Sequence, residues 1–265
     1  MPQSERDAMG EMVQSLATLP MPEHVARYAR EIDYDPVLGT MQLVDEAARR
    51  RGLAAVRDAT VISLGRPLRD AATFRRDGGR TFEIEHTLDN GDGPGMGVYS
   101  DYIRIFQHGL TNTHLEGINH MLWDGTVYGG HRVGTPEAAH TDVMAWAERG
   151  WVTRGVLADI PALRGVDFVD WDTPVTGAEI EASLDAAGVS VEPGDALLLH
   201  MGYDAAARHA AARGIDIDGL SPEFRRPGLG GSGAEWIVEH RVALLVYDFE
   251  DAEHPDEPHA GGQLL

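Results

Sequence analysis

The chain contains no cysteine. Disulfides, thiolate metal sites and a cysteine nucleophile are therefore excluded. Any metal it holds must be bound by histidine and carboxylate, a donor set that suits Zn, Mn, Fe or Ni. Basic residues are scarce: 22 Lys and Arg stand against 43 Asp and Glu in 265 residues, a formal net charge of -21. Nucleic acid and anionic membranes are not expected partners of so acidic a chain. A small anionic substrate is not excluded, because arginines or a metal could hold it locally. Long apolar runs are absent; stretches such as Val242 to Tyr247 fall far short of a bilayer span. The opening residues, M-P-Q-S-E-R-D-A-M-G-E, form no apolar signal core, and a cytoplasmic location is expected. There is no G-x-S-x-G elbow. The glycine-rich stretch Gly228 to Gly233 has no P-loop lysine after it and no strand leading directly in.

What is present is a mixed α/β pattern with a helical start. Met9, Met12, Val13 and Leu16 recur at helical spacing within Ser4 to Leu19. A second helix is expected from Pro22 to about Ile32 and a third over Met41 to Ala59. Thr60 to Leu64 is β-prone. Arg80 to Thr87 alternates as R-T-F-E-I-E-H-T, and Val98 to Gln107 reads as another strand, with a glycine-rich loop between them. Thr135-Pro136 opens a helix expected to run to about Arg149. Gly155 to Ile160, Ala196 to Met201 and Val242 to Phe249 read as strands, the last two buried. Thr176 to Ala187 and Ser232 to His240 read as helices.

The chemistry concentrates in T-H-L-E-G-I-N-H, Thr113 to His120. His114, Glu116 and His120 put two imidazoles and a carboxylate within a short stretch, with His108 just before. In extended chain, residues two apart share a face about 7 Å apart, and such side chains can converge on one divalent ion. A lone histidine is usually an ordinary polar residue; the cluster is what suggests a metal. His131 and His140 read as exposed. His200, at the end of a buried strand, reads either as a satisfied core group or as a site residue at the strand's carboxyl edge. The acidic run from Asp248 to His259 reads as a solvated loop whose histidines could supply a distant ligand.

The stretch H-G-L-T-N-T-H-L-E-G-I-N-H-M-L-W-D-G-T-V-Y-G-G, from His108 to Gly130, resembles the metal-site region of the cyclase family, the group of bacterial kynurenine formamidases and isatin hydrolase. The family pattern is H-x-G-T-H-x-D-x-P-x-H; one branch carries T-H-L-D-A-L-x-H, and this chain is closer to that branch. Val61 to Leu68 is similar to the family's opening strand and T-R-G-V-L-A-D-I-P, Thr153 to Pro161, to its R-G-V-L-L-D block. V-E-P-G-D-A-L-L-L-H-M-G, Val191 to Gly202, is similar to G-D-x-L-L-x-R-T-G. Val242 to Asp248 is similar to the late strand.

The resemblance implies a swivelling β/β/α domain over residues 60–265, preceded by a helical extension over 1–59, assembled as a homodimer or homotetramer. It implies a divalent metal, Zn or Mn, and hydrolysis of a formamide, cyclic amide, other small amide or ester by a metal-activated water. His114 takes the place of the central metal-binding His and Glu116 that of the metal-binding Asp. His120 takes that of the last His, a second ligand or the general base, and His259 that of a late His. The Glu that follows this late His in the family would fall beyond Leu265. Leu110 replaces an earlier His of the wider pattern, and Gly117 and Asn119 replace more usual residues. An imidazole's ordinary pKa of about 6.5 suits His120 to move a proton to the leaving group. Phe106, Trp123 and Tyr128 are expected to line an aromatic pocket, with core packing the competing reading. The alternatives to a hydrolase are a lyase or ring-closing enzyme on the same fold, or a binding protein that has lost catalysis.

Overall fold

The computed structural model describes residues 34–68, 82–91, 93–106, 112–122, 125–170, 172–215 and 228–249. The two helices expected before residue 33 lie outside these. The chain divides into two compact units, one formed by 1–59, 115–203 and 226–265, the other by 60–114 and 204–225. Among the described residues no helix is long and apolar enough to cross a membrane.

The first unit is built on a parallel three-stranded sheet. Strands β3 (Gly155–Asp159), β4 (Ala196–His200) and β5 (Leu244–Tyr247) lie in the order β3-β4-β5. Register pairs Gly155 with Ala196 and Asp159 with His200, and Leu199 with Tyr247 on the other side. Val156, Ala158, Leu197, Leu199 and Leu245 are buried. Parallel strands need long crossovers, usually helical. Here they carry α4 (Ile160–Arg164) and α5 (Gly177–Ala187) between β3 and β4, and α6 (Tyr203–Ala211) and α7 (Gly231–Glu239) between β4 and β5.

The helix boundaries follow local chemistry. Asp45 accepts a hydrogen bond from the Ala48 N–H (2.9 Å), so α1 begins at Glu46 and runs to Ala54, shorter at both ends than its composition suggests. The helix expected from Thr135 to Arg149 is two helices, α2 (Pro136–Ala139) and α3 (Val143–Arg149). Asp142 restarts the helix by accepting the Met144 N–H (2.8 Å). Asp and Thr compete with helical backbone bonds, which favours a break there. Pro161, at the end of the strand expected from Gly155 to Ile160, sits in the first turn of α4, where its missing N–H costs nothing.

Helix α5 carries a full capping box. Glu179 N–H donates to Thr176 Oγ1 (3.3 Å) and Thr176 N–H to Glu179 Oε2 (3.0 Å). Arg164 binds the same carboxylate through two nitrogens, at 2.7 and 2.9 Å. Burial alone would raise the Glu179 pKa, but Arg164 and the Thr176 donors outweigh it and hold it below the ordinary 4.5. A carboxylate whose folded pKa is depressed stabilises fully above its unfolded pKa and loses that contribution as pH falls through the folded one. Calorimetry on wild type and Glu179→Gln should therefore give a Tm gap that is constant at neutral pH and closes below 4.5. A gap independent of pH would refute the role of the charge.

The second unit contains an antiparallel ribbon, β1 (Phe82–Asn90) and β2 (Gly97–Ile105), with Phe82 opposite Ile105 and Asn90 opposite Gly97. The β-prone run Thr60 to Leu64 is not a strand: Val61 is 92% exposed. β-propensity expresses itself only where neighbouring strands offer packing and a ladder.

Candidate functional site

The motif of Thr113 to His120 is irregular chain rather than an extended strand. The His120 N–H donates to the Gly117 carbonyl (2.9 Å), closing a turn. That turn brings His120 Nε2 to 3.3 Å from Glu116 Oε1, with the two side chains 34% and 35% exposed. Ile118, inside the turn, is buried with Met41, Val44, Trp146 and Ala243, so the core fixes the turn's position. Gly117 is required by close approach. A Cβ there would lie 2.8 Å from Asn119 Oδ1 and 3.1 Å from the Asp142 Cα at the start of α3.

The division between the two units falls directly after His114, so His114 is described with the second unit and Glu116 and His120 with the first. His114 Nδ1 lies 2.8 Å from the Asn112 carbonyl oxygen. A carbonyl only accepts, so Nδ1 carries a proton; in the neutral ring the lone pair is then on Nε2, the tautomer that outer partners commonly impose on metal-binding histidines. Thr113 holds the preceding chain: its hydroxyl donates to the Leu64 carbonyl (3.3 Å) and accepts the Arg66 N–H (2.9 Å).

Imidazole and carboxylate donors of this kind fit a divalent ion. Among the described residues, however, no three His, Asp or Glu side chains are grouped so as to hold one. His108 and His259 lie outside the described residues, as does Trp123. Phe106 is half-buried in the second unit. Tyr128 packs against the Met41–Trp146 cluster. Burial, with Tyr34 and Asp35 adding to it, pushes the Tyr128 phenol up to about 12, so its hydroxyl stays a neutral donor at physiological pH.

A second constellation lies at the carboxyl ends of the parallel strands, where α/β sheets commonly place their ligands. His200 Nδ1 is 3.0 Å from Asp159 Oδ1, and its Nε2 is 3.8 Å from Asp248 Oδ2. Asp248 also accepts the N–H groups of Met201, Gly202 and Tyr203 at 2.7, 2.9 and 2.9 Å. Burial pushes the Asp248 carboxyl above its ordinary range against those donors and His200. For Asp159 burial also pulls upward, but the Ala162 N–H and the His200 ring win and lower it. His200 was a candidate from sequence. The two aspartates were not, although Asp159 lies within a strand block quoted above and Asp248 ends another. Asp248 reads in sequence as part of a solvated acidic run; in the fold it caps the chain entering α6.

Residues 62–254 match the Cyclase family model. No curated protein matches the chain significantly. The fold is similar to that in a crystal structure of a novel cyclase, with a TM-score of 0.62 at 17% identity, covering 83% of this chain and 76% of that one. The mixed α/β architecture expected from sequence is thus the cyclase-type fold. With the family model spanning most of its length, this chain belongs to the Cyclase family.

Proposed function

We propose that this Cyclase-family chain is a metal-dependent hydrolase that cleaves a small amide, formamide, cyclic amide or ester, with an aromatic substrate favoured. The observation that carries the reading is the turn that sets His120 Nε2 and Glu116 Oε1 3.3 Å apart, in a segment whose sequence also supplies His114 two residues before Glu116. His114 and Glu116 would hold the ion, Zn or Mn, with His108 and His259 as further donors and His120 as either a second imidazole ligand or the general base. Bound there, such an ion supplies Lewis acidity, which acidifies water and polarises a carbonyl. His120 takes the proton released when water attacks and returns it to the leaving nitrogen or oxygen. The Glu116 carboxylate steadies the imidazolium between those two transfers. Phe106, Trp123 and Tyr128 are the proposed aromatic wall, Tyr128 through a hydroxyl that stays protonated. The same reading makes the enzyme a cytoplasmic homodimer or homotetramer.

The test is elemental analysis of the purified protein, followed by assay of an aryl formamide, isatin and a lactone side by side. Near-stoichiometric metal and turnover of at least one substrate are expected, with turnover lost to a chelator and restored by Zn or Mn. Absence of metal even after reconstitution would sink the proposal in favour of a binding protein. Full metal without hydrolysis of any of the three would favour a lyase or ring-closing enzyme.

A further inference from the structure

Helix α7 closes on an arginine where a glycine is usual. Its last turn is a Schellman motif: the Arg241 N–H donates to the Val238 carbonyl (3.0 Å) and the Val242 N–H to the Ile237 carbonyl (3.2 Å). The motif needs one residue in the left-handed region, most often glycine. Helix α5 closes in the same way, through Gly188 N–H to Asp185 and Val189 N–H to Leu184, and there the left-handed residue is Gly188 at φ +67. After α7 it is Arg241, at φ +53. A side chain at that backbone angle is strained. Strain kept where glycine would relieve it points to a task for the side chain.

The surroundings of Arg241 identify the task. With Gln42, Leu43, Asp45, Arg51 and Pro193 it lines a cavity of about 580 Å³, wholly within the first unit. Pro193 precedes β4 and Arg241 precedes β5, so the cavity lies at the amino ends of the parallel strands, the opposite end of the sheet from Asp159, His200 and Asp248. Arg51 is already engaged: its Nη2 donates to the Pro193 carbonyl (2.6 Å) and lies 3.4 Å from Asp195 Oδ1. Arg241 is not. Acidic residues number 43 against 22 basic ones, yet among the described residues no carboxylate pairs with its guanidinium, Asp45 of the same cavity included. Asp45 spends Oδ1 on the cap of α1, which leaves Oδ2 outside that bond. The Arg241 carbonyl accepts the Gly194 N–H (3.1 Å), so the residue is pinned by its backbone alone.

We propose that this cavity binds a free amino acid as its zwitterion, the carboxylate on Arg241 and the ammonium on Asp45. A guanidinium presents paired N–H donors that match a carboxylate. Asp45 Oδ2 accepts from the ammonium while Oδ1 keeps its cap. A simple anion is drawn to Arg241 but repelled by Asp45, and a simple cation meets the reverse. A ligand carrying both charges uses both groups, and it adds no net charge to a chain of net -21. None of the lining residues belongs to the motif from His114 to His120, so this inference stands apart from the hydrolase reading.

The experiment is isothermal titration of the full chain with each of the twenty common L-amino acids, with the matching carboxylic acid that lacks the amine, and with inorganic phosphate. At least one amino acid is expected to bind saturably, and at least about tenfold more tightly than its amine-free counterpart or phosphate. Arg241→Gly and Asp45→Asn should each weaken that binding at least about tenfold; asparagine retains the capping oxygen, so the second variant removes charge alone. His114→Ala should leave it unchanged, which keeps the outcome separate from that of the metal site. Arg241→Gly should also raise Tm by about 2–4 °C, because glycine relieves the left-handed position. Four results would overturn the site: no saturable binding by any amino acid, binding unaltered in both variants, equal affinity for the amine-free acid or phosphate, or a Tm that falls with Arg241→Gly and so marks the arginine as structural.

Discussion

Asp195→Ala should lower the stability of the protein by about 3–5 kcal/mol, the usual consequence of stripping one partner from a buried ion pair. The Asp195 side chain is fully buried. Its Oδ2 accepts two nitrogens of Arg154 and the Glu192 N–H, and its Oδ1 lies 3.4 Å from Arg51 Nη2 on α1. Removing the carboxylate leaves two partly buried guanidinium groups, 26% and 23% exposed, with the half-exposed Glu192 carboxylate, 3.7 Å from Arg51 and 3.4 Å from Arg154, as the remaining anion near both. Asp195 also sits where elements meet: its carbonyl accepts the Ala243 N–H on the approach to β5. The neighbouring Gly194 has φ +88, and a Cβ there would stand against the Leu43 carbonyl and the Ala48 side chain. The G-D of the motif therefore builds the junction of α1 with the sheet. Since domains of this kind are stable by only about 5–15 kcal/mol, the variant should show a sharply lower urea midpoint. A loss under about 1 kcal/mol would mean that the carboxylate does little beyond offsetting its own desolvation.

His114→Ala should abolish metal uptake and reduce hydrolysis more than about 100-fold, since loss of merely an outer partner of a metal ligand already costs 10–100-fold. Circular dichroism should barely change, because the ring is half-buried rather than part of the core and its hydrogen bond to the Asn112 carbonyl is local. Glu116→Gln should behave similarly while keeping a polar group near His120. Glu116→Asp should retain part of the activity, because aspartate is the residue of the family pattern and the turn at Gly117 leaves the shorter carboxylate in the same segment. Elemental analysis and single-turnover rates on the three variants check this. Wild-type metal content in His114→Ala would remove His114 from the site whatever the rates show.

Much of the local structure was readable in the residues. Thr176 with Glu179 three residues on, and Gly188 after Ala187, announce both ends of α5, and both are observed. Such signals survive because a cap is satisfied by side chains within one turn. Where local signals competed, reading them was harder. Periodicity favoured one helix from Thr135 to Arg149, but Asp142 offered its own backbone a better bond and split it. Tyr203 to Ala211 gave no clear expectation, yet it forms α6, with Ala206 and Ala210 fully buried. The run Thr60 to Leu64 had the composition of a strand but no ladder.

By itself the sequence determined the donor types, the spacing of His114, Glu116 and His120, the absence of thiolate chemistry and the family to which the chain belongs. The fold alone decided that Glu116 and His120 meet through a turn anchored by Ile118. It alone aligned Asp159, His200 and Asp248. Asp159 and His200 are 41 residues apart in the chain, and only the parallel register of β3, β4 and β5 sets their strand ends in one row. Spacing along a chain fixes what neighbours within a turn can do; which distant side chains share an edge is set by strand pairing, and that depends on the burial of the whole sheet.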